Sequence, residues 1–333
     1  MICADSGLSP GEDVAVYADI RAPNVKSIAR GLVLQKYSGQ CVFVGVGTLC
    51  CKRSELFSRD SGVGLRMGRI AGPSQPSLNG ILETQHMLQN LPSVAVAHAL
   101  NPCPGEVILD MCCAPGGKTS HIASLVRNRG LIIACDKSRK KMVNTAAFFR
   151  SMGATCIVPL ALDSTKSVID EDDTKWQDVR SVVNAAAIGD DGLLDIKGFH
   201  SNSFDRILLD PPCSALGLRP KLYVEARSAR HLEKYAEYQK RFVEAAVKLL
   251  KIGGTLVYST CTINADENED MVCFILSQYD CMQLLPLPAN FPGGRGLSNR
   301  GLNDEQRSNI RRFDPTADIN TMGFFIALFQ KVD

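Results

Sequence analysis

From residue 107 onward the chain alternates short apolar runs with amphipathic stretches, and this alternation restricts the possible folds more than any other feature. "VILDMC" (107–112), "LIIACD" (131–136), "ATCIVPLAL" (154–162), "FDRILLD" (204–210) and "TLVYST" (255–260) read as strands. Helical patterns separate them. One follows "PGGKTS" through about Asn128, and one carries Met142, Val143, Ala146 and Phe149. A long one spans 232–251, closed by Gly253-Gly254, and another spans 264–279. "CMQLLPL" and "MGFFIALFQK" supply two more strands. Near-continuous apolar strands, each followed by a helix, predict an α/β fold with a parallel sheet covered on both faces. Seven strands are expected, doubly wound, with the last pair adding an antiparallel edge. Such a sheet binds its ligand outside the carboxyl ends of its strands. Asp110, Asp136, Asp163, Asp210 and Thr260 stand there.

Residues 1–72 are different. Short β-like runs ("DVAVYADI", "RGLVLQK", "CVFVGVG") lie between Gly, Ser and Pro, which predicts a small all-β module. This stretch holds nine Lys and Arg against six Asp and Glu, or +3; the whole chain is +2, so the remainder is −1. So small an excess fits a solvated β surface as well as an RNA-facing one. "AGPSQPSLNG" (71–80) reads as a linker. A helical pattern through Ile81, Leu82, Leu88, Leu91, Val94, Val96 and Leu100 follows, and "NPCPGE" (101–106) breaks it. The expected organisation is a module over 1–72, a linker and helical lead-in over 73–106, and the main domain over 107–333. Within that domain, 163–203, with its acidic run Asp170 to Asp173, is expected to be a surface insert.

Several classes are disfavoured. No apolar run reaches the roughly eighteen residues of a membrane helix, and the first twenty residues lack the pattern of a signal peptide. Thirteen cysteines without regular spacing do not suggest a disulfide scaffold. Cys50-Cys51 and Cys112-Cys113 are adjacent pairs rather than zinc hooks, and the five histidines are scattered. The expectation is a cytoplasmic monomer in a reducing compartment, with no metal and no membrane partner.

The turn "DMCCAPGGKTS" joins the first strand to its helix. Pro115, Gly116 and Gly117 let the backbone turn sharply and approach a ligand, and the helix N-terminus suits an anionic group. Gly-Lys-Thr invites a phosphate-loop reading, but that motif needs a glycine at position 112, which is Cys. The dinucleotide pattern Gly-x-Gly-x-x-Gly fails as well. What fits is a nucleoside-bearing ligand with a charged tail at the turn, ribose at Asp136 and a base at Asp163, as in S-adenosylmethionine. Any one of these aspartates could be only a loop residue or a helix cap; acids at four successive strand ends favour a site.

Free cysteine is most often a small core residue, and Cys103, Cys156 and Cys273 are read so. Cys213, in "DPPCSALG", and Cys261, in "YSTCT", instead lie just past two strands beside the cofactor mouth. Cytosine C5 is a weak nucleophile toward a methyl sulfonium. A thiolate adding to C6 makes the ring enamine-like, splitting one hard step into two easier ones. The site must then lower a thiol pKa from about 8.5, and the base must leave its stack. Asp210 is placed to hydrogen-bond ring N3 and the exocyclic amine. The residues alone do not assign the two thiols to the two steps.

"DMCCAPGGKTSHIA", "DPPCS" and "YSTCT" resemble the motifs of the Nol/Nop/Sun RNA cytosine-5 methyltransferases, and the resemblance runs from about Thr84 to the C-terminal "GFFIALFQK". It implies a Rossmann-like methyltransferase domain using S-adenosylmethionine, with Cys261 as nucleophile and Cys213 as release residue. Cys112, Cys113, Ala114, Pro115, Gly116, Gly117 and Lys118, with Asp136, Asp163 and Asp210, would form the cofactor site; Lys118 and Asp210 would also face the cytosine. "NLPSVAVAHALNPCPGE" and "RRFDP…GFFIALF" look closest to the PUA-containing branch. That branch implies methylation of tRNA near the 3′ end of the acceptor stem, and of some mRNA sites. The N-terminal segment resembles the later part of a PUA domain, so a partial RNA-binding module is expected. Two alternatives remain: a catalytically impaired RNA-binding isoform, and a nucleotide-hydrolysing protein using Gly117-Lys118-Thr119.

"KSRKK" (137–141) reads as a solvated helix face or a phosphate contact, and Arg219 and Lys221 as phosphate contacts. Trp176 is expected to pack locally and Tyr258 to lie in the core.

Overall fold

The structure, a computed structural model, describes residues 3–20, 31–33, 35, 37, 39–59, 61–70, 87–169, 178–189, 191–219, 228–317 and 319–333. The linker at 71–80, the acidic run from Asp170, Trp176 and Lys221 lie outside them. The chain forms two compact units, the first built on residues 1–78 and the second on 79–219 and 228–333.

The first unit contains β1 (Cys3–Ala4), β2 (Asp13–Asp19), β3 (Leu32–Val33), β4 (Cys41–Leu49), α1 (Arg53–Ser58) and β5 (Leu65–Ile70). β2, β4 and β5 make an antiparallel sheet in that order, while β1 and β3 pair in parallel. Each of the three apolar runs of the sequence carries a strand, although in the second only Leu32–Val33 is a described strand. The one-turn helix α1 and β5 were not anticipated, because six residues are too few to show a helical period. The Arg53 guanidinium fastens α1 to the Gly31 carbonyl at 2.7 Å.

The second unit runs α2 (Leu91–Leu100), β6 (Val107–Asp110), α3 (Gly117–Leu125), β7 (Leu131–Cys135), α4 (Arg139–Ser151), β8 (Ile157–Leu160), α5 (Val179–Ala185), β9 (Phe204–Leu209) and α6 (Ala229–Leu249). It continues through β10 (Leu250–Thr260), α7 (Glu269–Gln278), β11 (Met282–Leu285), α8 (Asp304–Asn309), β12 (Arg311–Phe313) and β13 (Phe324–Lys331). The sheet order is β11-β13-β10-β9-β6-β7-β8, with β12 also on β13. β6 to β10 are parallel. The chain leaves β6 outward to β7 and β8, then returns to β9 on the other side. The switch point of the sheet therefore lies between β6 and β9, where such folds bind ligands. Both faces are buried with a period of two. Ile108, Ile132 and Leu208 enter one core, and Leu109, Ile133 and Leu209 the other.

Local chemistry sets the helix boundaries. The Asn90 side chain accepts from Ser93 N at 2.9 Å to start α2, and Asn101 ends it in the left-handed conformation. Ser138 and Ser228 cap α4 and α6 in the same way.

Four expectations needed correction. α2 begins at Leu91, so the described residues 87–90 of the helical lead-in are not helical. α6 ends at Leu249 and passes straight into β10, so Gly253-Gly254 lies at a pairing irregularity of β10. Of the last two strands only β13 is antiparallel to the rest. It lies between β10 and β11, so β11 at the edge runs with β10. The described part of 163–203 is not a plain surface loop. Val168 bridges Phe199, and Val179, Leu193, Ile196 and Phe199 are buried, apolar side chains whose irregular spacing hid them. No helix among the described residues is long and apolar enough to cross a membrane.

Candidate active site

The turn after β6 is built around Asp110, which is 1% exposed. Its carboxyl accepts from Thr119 Oγ1 at 2.7 Å and Cys112 N at 3.2 Å, tying strand to helix. Burial, only partly offset by the Thr119 hydrogen bond, pushes this carboxyl up to about 7. Asp110 is therefore a buried tie of the turn. Cys113 is buried against Met142, its sulfur 3.5 Å from Sδ, so its side chain is not available to a ligand. Cys112 is half-buried, and burial raises both thiols well above the ordinary range. The Ala114–Pro115 bond is cis. Gly116 has φ +102°, and a Cβ there would come within 2.6 Å of the Phe149 ring. With no side chain to cap it, Gly116 leaves the first-turn N–H groups of α3 uncapped.

Asp136 follows β7 and Asp163 follows β8, both half-buried. Each uses one oxygen to close its own turn. Asp136 Oδ1 accepts from Ser138 N at 2.8 Å, and Asp163 Oδ1 accepts from Thr165 N at 3.1 Å and Oγ1 at 2.7 Å. The second oxygen of each has no hydrogen-bond partner among the described residues. Ser164 Oγ donates to Met111 O at 2.8 Å, which fastens the Asp163 loop to the end of β6.

Across the switch point, Lys118 Nζ lies 2.6 Å from Asp210 Oδ2, and Ser259 Oγ donates to Asp210 Oδ1 at 2.9 Å. The two thiols expected at the site come together: Cys213 Sγ is 3.3 Å from Cys261 Sγ. The two thiols differ in how readily they ionise. A hydrogen bond from Cys213, helped by the Lys118 charge, holds the Cys261 thiol below its usual value despite its burial. Cys213 is pushed up by the same hydrogen bond, and further by burial. Cys261 is thus the more readily ionised of the two thiols, and Cys213 the one that keeps its proton. Gly217 N donates to Cys261 O at 3.0 Å and Gly323 N to Gly217 O at 2.9 Å, which clamps the Cys213 loop between two neighbours.

Some expected contacts are absent. The Arg219 guanidinium is committed to Pro315 O, Asn320 Oδ1 and Thr321 O, so it holds a loop and does not reach for phosphate. In "KSRKK", Lys137 lies over the Tyr238 ring and Arg139 pairs with Asp191 at 2.6 Å. Tyr258 is fully buried as expected, yet its hydroxyl is bonded. Sequence reasoning missed Ser259, Ser214, Gln239, Glu267 and Asn268. The one available signal was polar residues crowding the two cysteine motifs and the helix start that follows.

Residues 97–330 match the family described as 16S rRNA methyltransferase RsmB/F. The chain belongs to this family of Nol/Nop/Sun-type RNA cytosine-5 methyltransferases. It is 38% identical to the human tRNA (cytosine(72)-C(5))-methyltransferase NSUN6, over 99% of this chain and 71% of that protein. It is 34% identical to the tRNA (cytosine(72)-C(5))-methyltransferase of Pyrococcus horikoshii, over 96% of this chain and 73% of that one. The crystal structure of NSun6 from Pyrococcus horikoshii with SFG is similar, with a TM-score of 0.69 and 32% identity. It covers 99% of this chain and 70% of that one. As an RNA cytosine-5 methyltransferase, this family member takes S-adenosylmethionine as its cofactor.

Proposed function

We propose that this chain methylates C5 of a cytosine in tRNA, near the 3′ end of the acceptor stem, through a covalent bond between Cys261 and C6 of the base. The observation that carries this reading is the 3.3 Å approach of Cys213 and Cys261 beside the Lys118–Asp210 pair. The tRNA target rests on the substrates named for the relatives.

S-adenosylmethionine supplies an electrophilic methyl group. The residues at the strand ends suit it. The open oxygens of Asp136 and Asp163 would accept from ribose hydroxyls and the adenine amine, and the turn Cys112–Lys118 would hold the charged tail. Asp210, with Lys118, would face both cofactor and cytosine.

Cys261, as thiolate, adds to C6 and sends the ring electrons toward C5. Asp210 accepts from the base edge while Lys118 stabilises charge building on the ring. After C5 is methylated, the C6–S bond breaks toward Cys261 as Cys213 gives that sulfur its proton and takes the C5 proton in exchange, the C5–H electrons re-forming the C5–C6 double bond. Cys213 stands next to the departing sulfur and already carries a proton, which suits it to assist release. The first unit, a small β module with a +3 balance, is assigned as a partial PUA-like surface that helps hold the RNA.

Transfer of labelled methyl from S-adenosylmethionine to total small RNA, with Cys261→Ala in parallel, tests the reading. Label in wild type that vanishes in the variant supports it, and sequencing the labelled RNA locates the cytosine. A folded, cofactor-binding wild type that labels no RNA would sink it.

A further inference from the structure

We infer that the adjacent buried side chains of Glu267 and Asn268 are positioning residues, one bracketing Cys213 and the other Cys261, and that together they set the spacing of the two thiols. This rests on the roles proposed above for those cysteines.

Glu267 ends a short 3-10 turn (Ala265–Glu267) ahead of α7, and both it and Asn268 are 0% exposed. No Lys or Arg among the described residues pairs with the Glu267 carboxylate. Four donors surround it instead. Ser214 N and Gln239 Nε2 reach Oε2, each at 2.9 Å, while Ser214 Oγ at 2.5 Å and Asn264 Nδ2 at 3.1 Å reach Oε1. A carboxylate offers about four acceptor positions, and here every one is taken. A buried carboxylate without a cation is costly unless it is fully hydrogen-bonded, and these four donors meet that requirement.

The donors are not scattered through the core. Ser214 follows Cys213. Gln239 Nε2 also donates to Pro212 O at 3.1 Å, and Pro212 precedes Cys213. Glu267 thus grips both sides of Cys213. Asn268 does the same for Cys261: Thr260 Oγ1 donates to its Oδ1 at 2.5 Å, and its Nδ2 donates to Thr262 O at 3.0 Å. One hydroxyl contact closes the frame, Ser214 Oγ to Thr262 Oγ1 at 2.7 Å. Because Ser214 Oγ donates to Glu267, Thr262 donates to Ser214. Two loops from different strands are therefore referenced to two consecutive residues, and neither residue touches the thiols.

Small misplacements of reacting groups cost large factors in rate, about 100-fold for 1 Å. Glu267→Gln keeps the volume but presents an amide N–H₂ to donors. We expect turnover to fall about tenfold or more, with RNA affinity nearly unchanged. The covalent RNA adduct should accumulate toward the level seen in Cys213→Ala. The pH profile of Cys261 alkylation by iodoacetamide in RNA-free protein should move upward, as the Cys213 hydrogen bond is lost. Ser214→Ala, which keeps the Ser214 N contact and removes only the hydroxyl link, should show the same changes more weakly, and it decides the matter if Glu267→Gln does not fold. Folded, cofactor-binding variants with wild-type turnover, adduct level and alkylation profile would overturn the inference. If Cys213→Ala itself traps no adduct, the release role of Cys213 fails, and the alkylation profile alone then decides whether Glu267 positions the pair.

Discussion

The Lys118 ammonium lies 2.6 Å from the Asp210 carboxylate, and the two side chains reach each other beyond the ends of neighbouring strands, across the point where the sheet reverses its order. Lys118 lies in the first turn of α3, which follows β6, and Asp210 directly follows β9. Burial acts to neutralise Lys118, but the charge and hydrogen bond of Asp210, with smaller help from Asp110 and Cys261, together outweigh it and hold the ammonium above its ordinary range. The site therefore keeps a fixed positive charge near Cys261 at neutral pH.

That charge helps to hold the Cys261 thiol low, and the Cys213 hydrogen bond does more. A thiol held low is reactive to lower pH than a free cysteine. Cys213→Ala should move the midpoint of Cys261 alkylation upward, and Lys118→Ala should move it upward by less. Mass-resolved iodoacetamide labelling across pH measures both. A larger shift in Lys118→Ala would reverse the assigned order of causes.

Asp110 links the turn to stability. Its folded pKa of about 7 lies above the ordinary 3.8, so the folded state holds its proton more tightly than the unfolded chain. The contribution is full below about pH 4 and is lost as pH rises through 7. Asp110→Asn has no such titration. Relative to wild type it should gain stability between pH 4 and 7, with a slope of at most about 1.4 kcal/mol per pH unit. Denaturant unfolding at several pH values reads the difference; parallel curves for the two proteins would contradict it.

The parts of this architecture that are legible in the sequence are those where one residue's environment is set by its own strand. Ile132-Ile133 and Leu208-Leu209 alternate between two cores, so their runs announce a doubly covered sheet. Asp136, Asp163 and Asp210 close strands, so their place follows from the strand ends. That Cys213 and Cys261 flank one mouth was readable from the strands they follow, but which thiol serves which step was readable only as a resemblance of motifs. The strands that carry them are neighbours, but loop conformation sets the distance between the sulfurs. Glu267 and Asn268 were invisible, because an acid and an amide at a helix start read as ordinary helix-initiating residues. The buried side chains of the 163–203 segment escaped for a related reason: irregular loops bury residues without a period.

Gly217 carries the close approach that holds the Cys213 loop. A Cβ there would fall 2.0 Å from Gly323 O, a backbone atom that cannot swing aside. Gly217→Ala must push the loop away from both Gly323 and Cys261. A turnover loss of about 100-fold is expected, with destabilisation of about 1–3 kcal/mol. Steady-state methylation and thermal unfolding of the same variant check the two figures. Wild-type turnover in Gly217→Ala would show that the loop position does not matter to the thiols.

The two oxygens of Asp136 have separable jobs, and this allows the cofactor role to be tested apart from the fold. Oδ1 closes the turn onto Ser138 N, which a serine hydroxyl at the same position can also accept from. The other oxygen faces no protein donor among the described residues and is the one assigned to ribose. Asp136→Ser should therefore keep the turn and the melting temperature while losing a charged hydrogen bond to the cofactor. Such a bond contributes about 1.5–3 kcal/mol, or roughly 10- to 100-fold in affinity. Asp136→Ala should lose the same affinity and, in addition, about 1 kcal/mol of stability from the opened turn. Calorimetric titration with S-adenosylmethionine, set beside thermal unfolding, distinguishes the two variants. Full cofactor affinity in a folded Asp136→Ser would reduce Asp136 to a turn residue and move the ribose contact elsewhere on the strand ends.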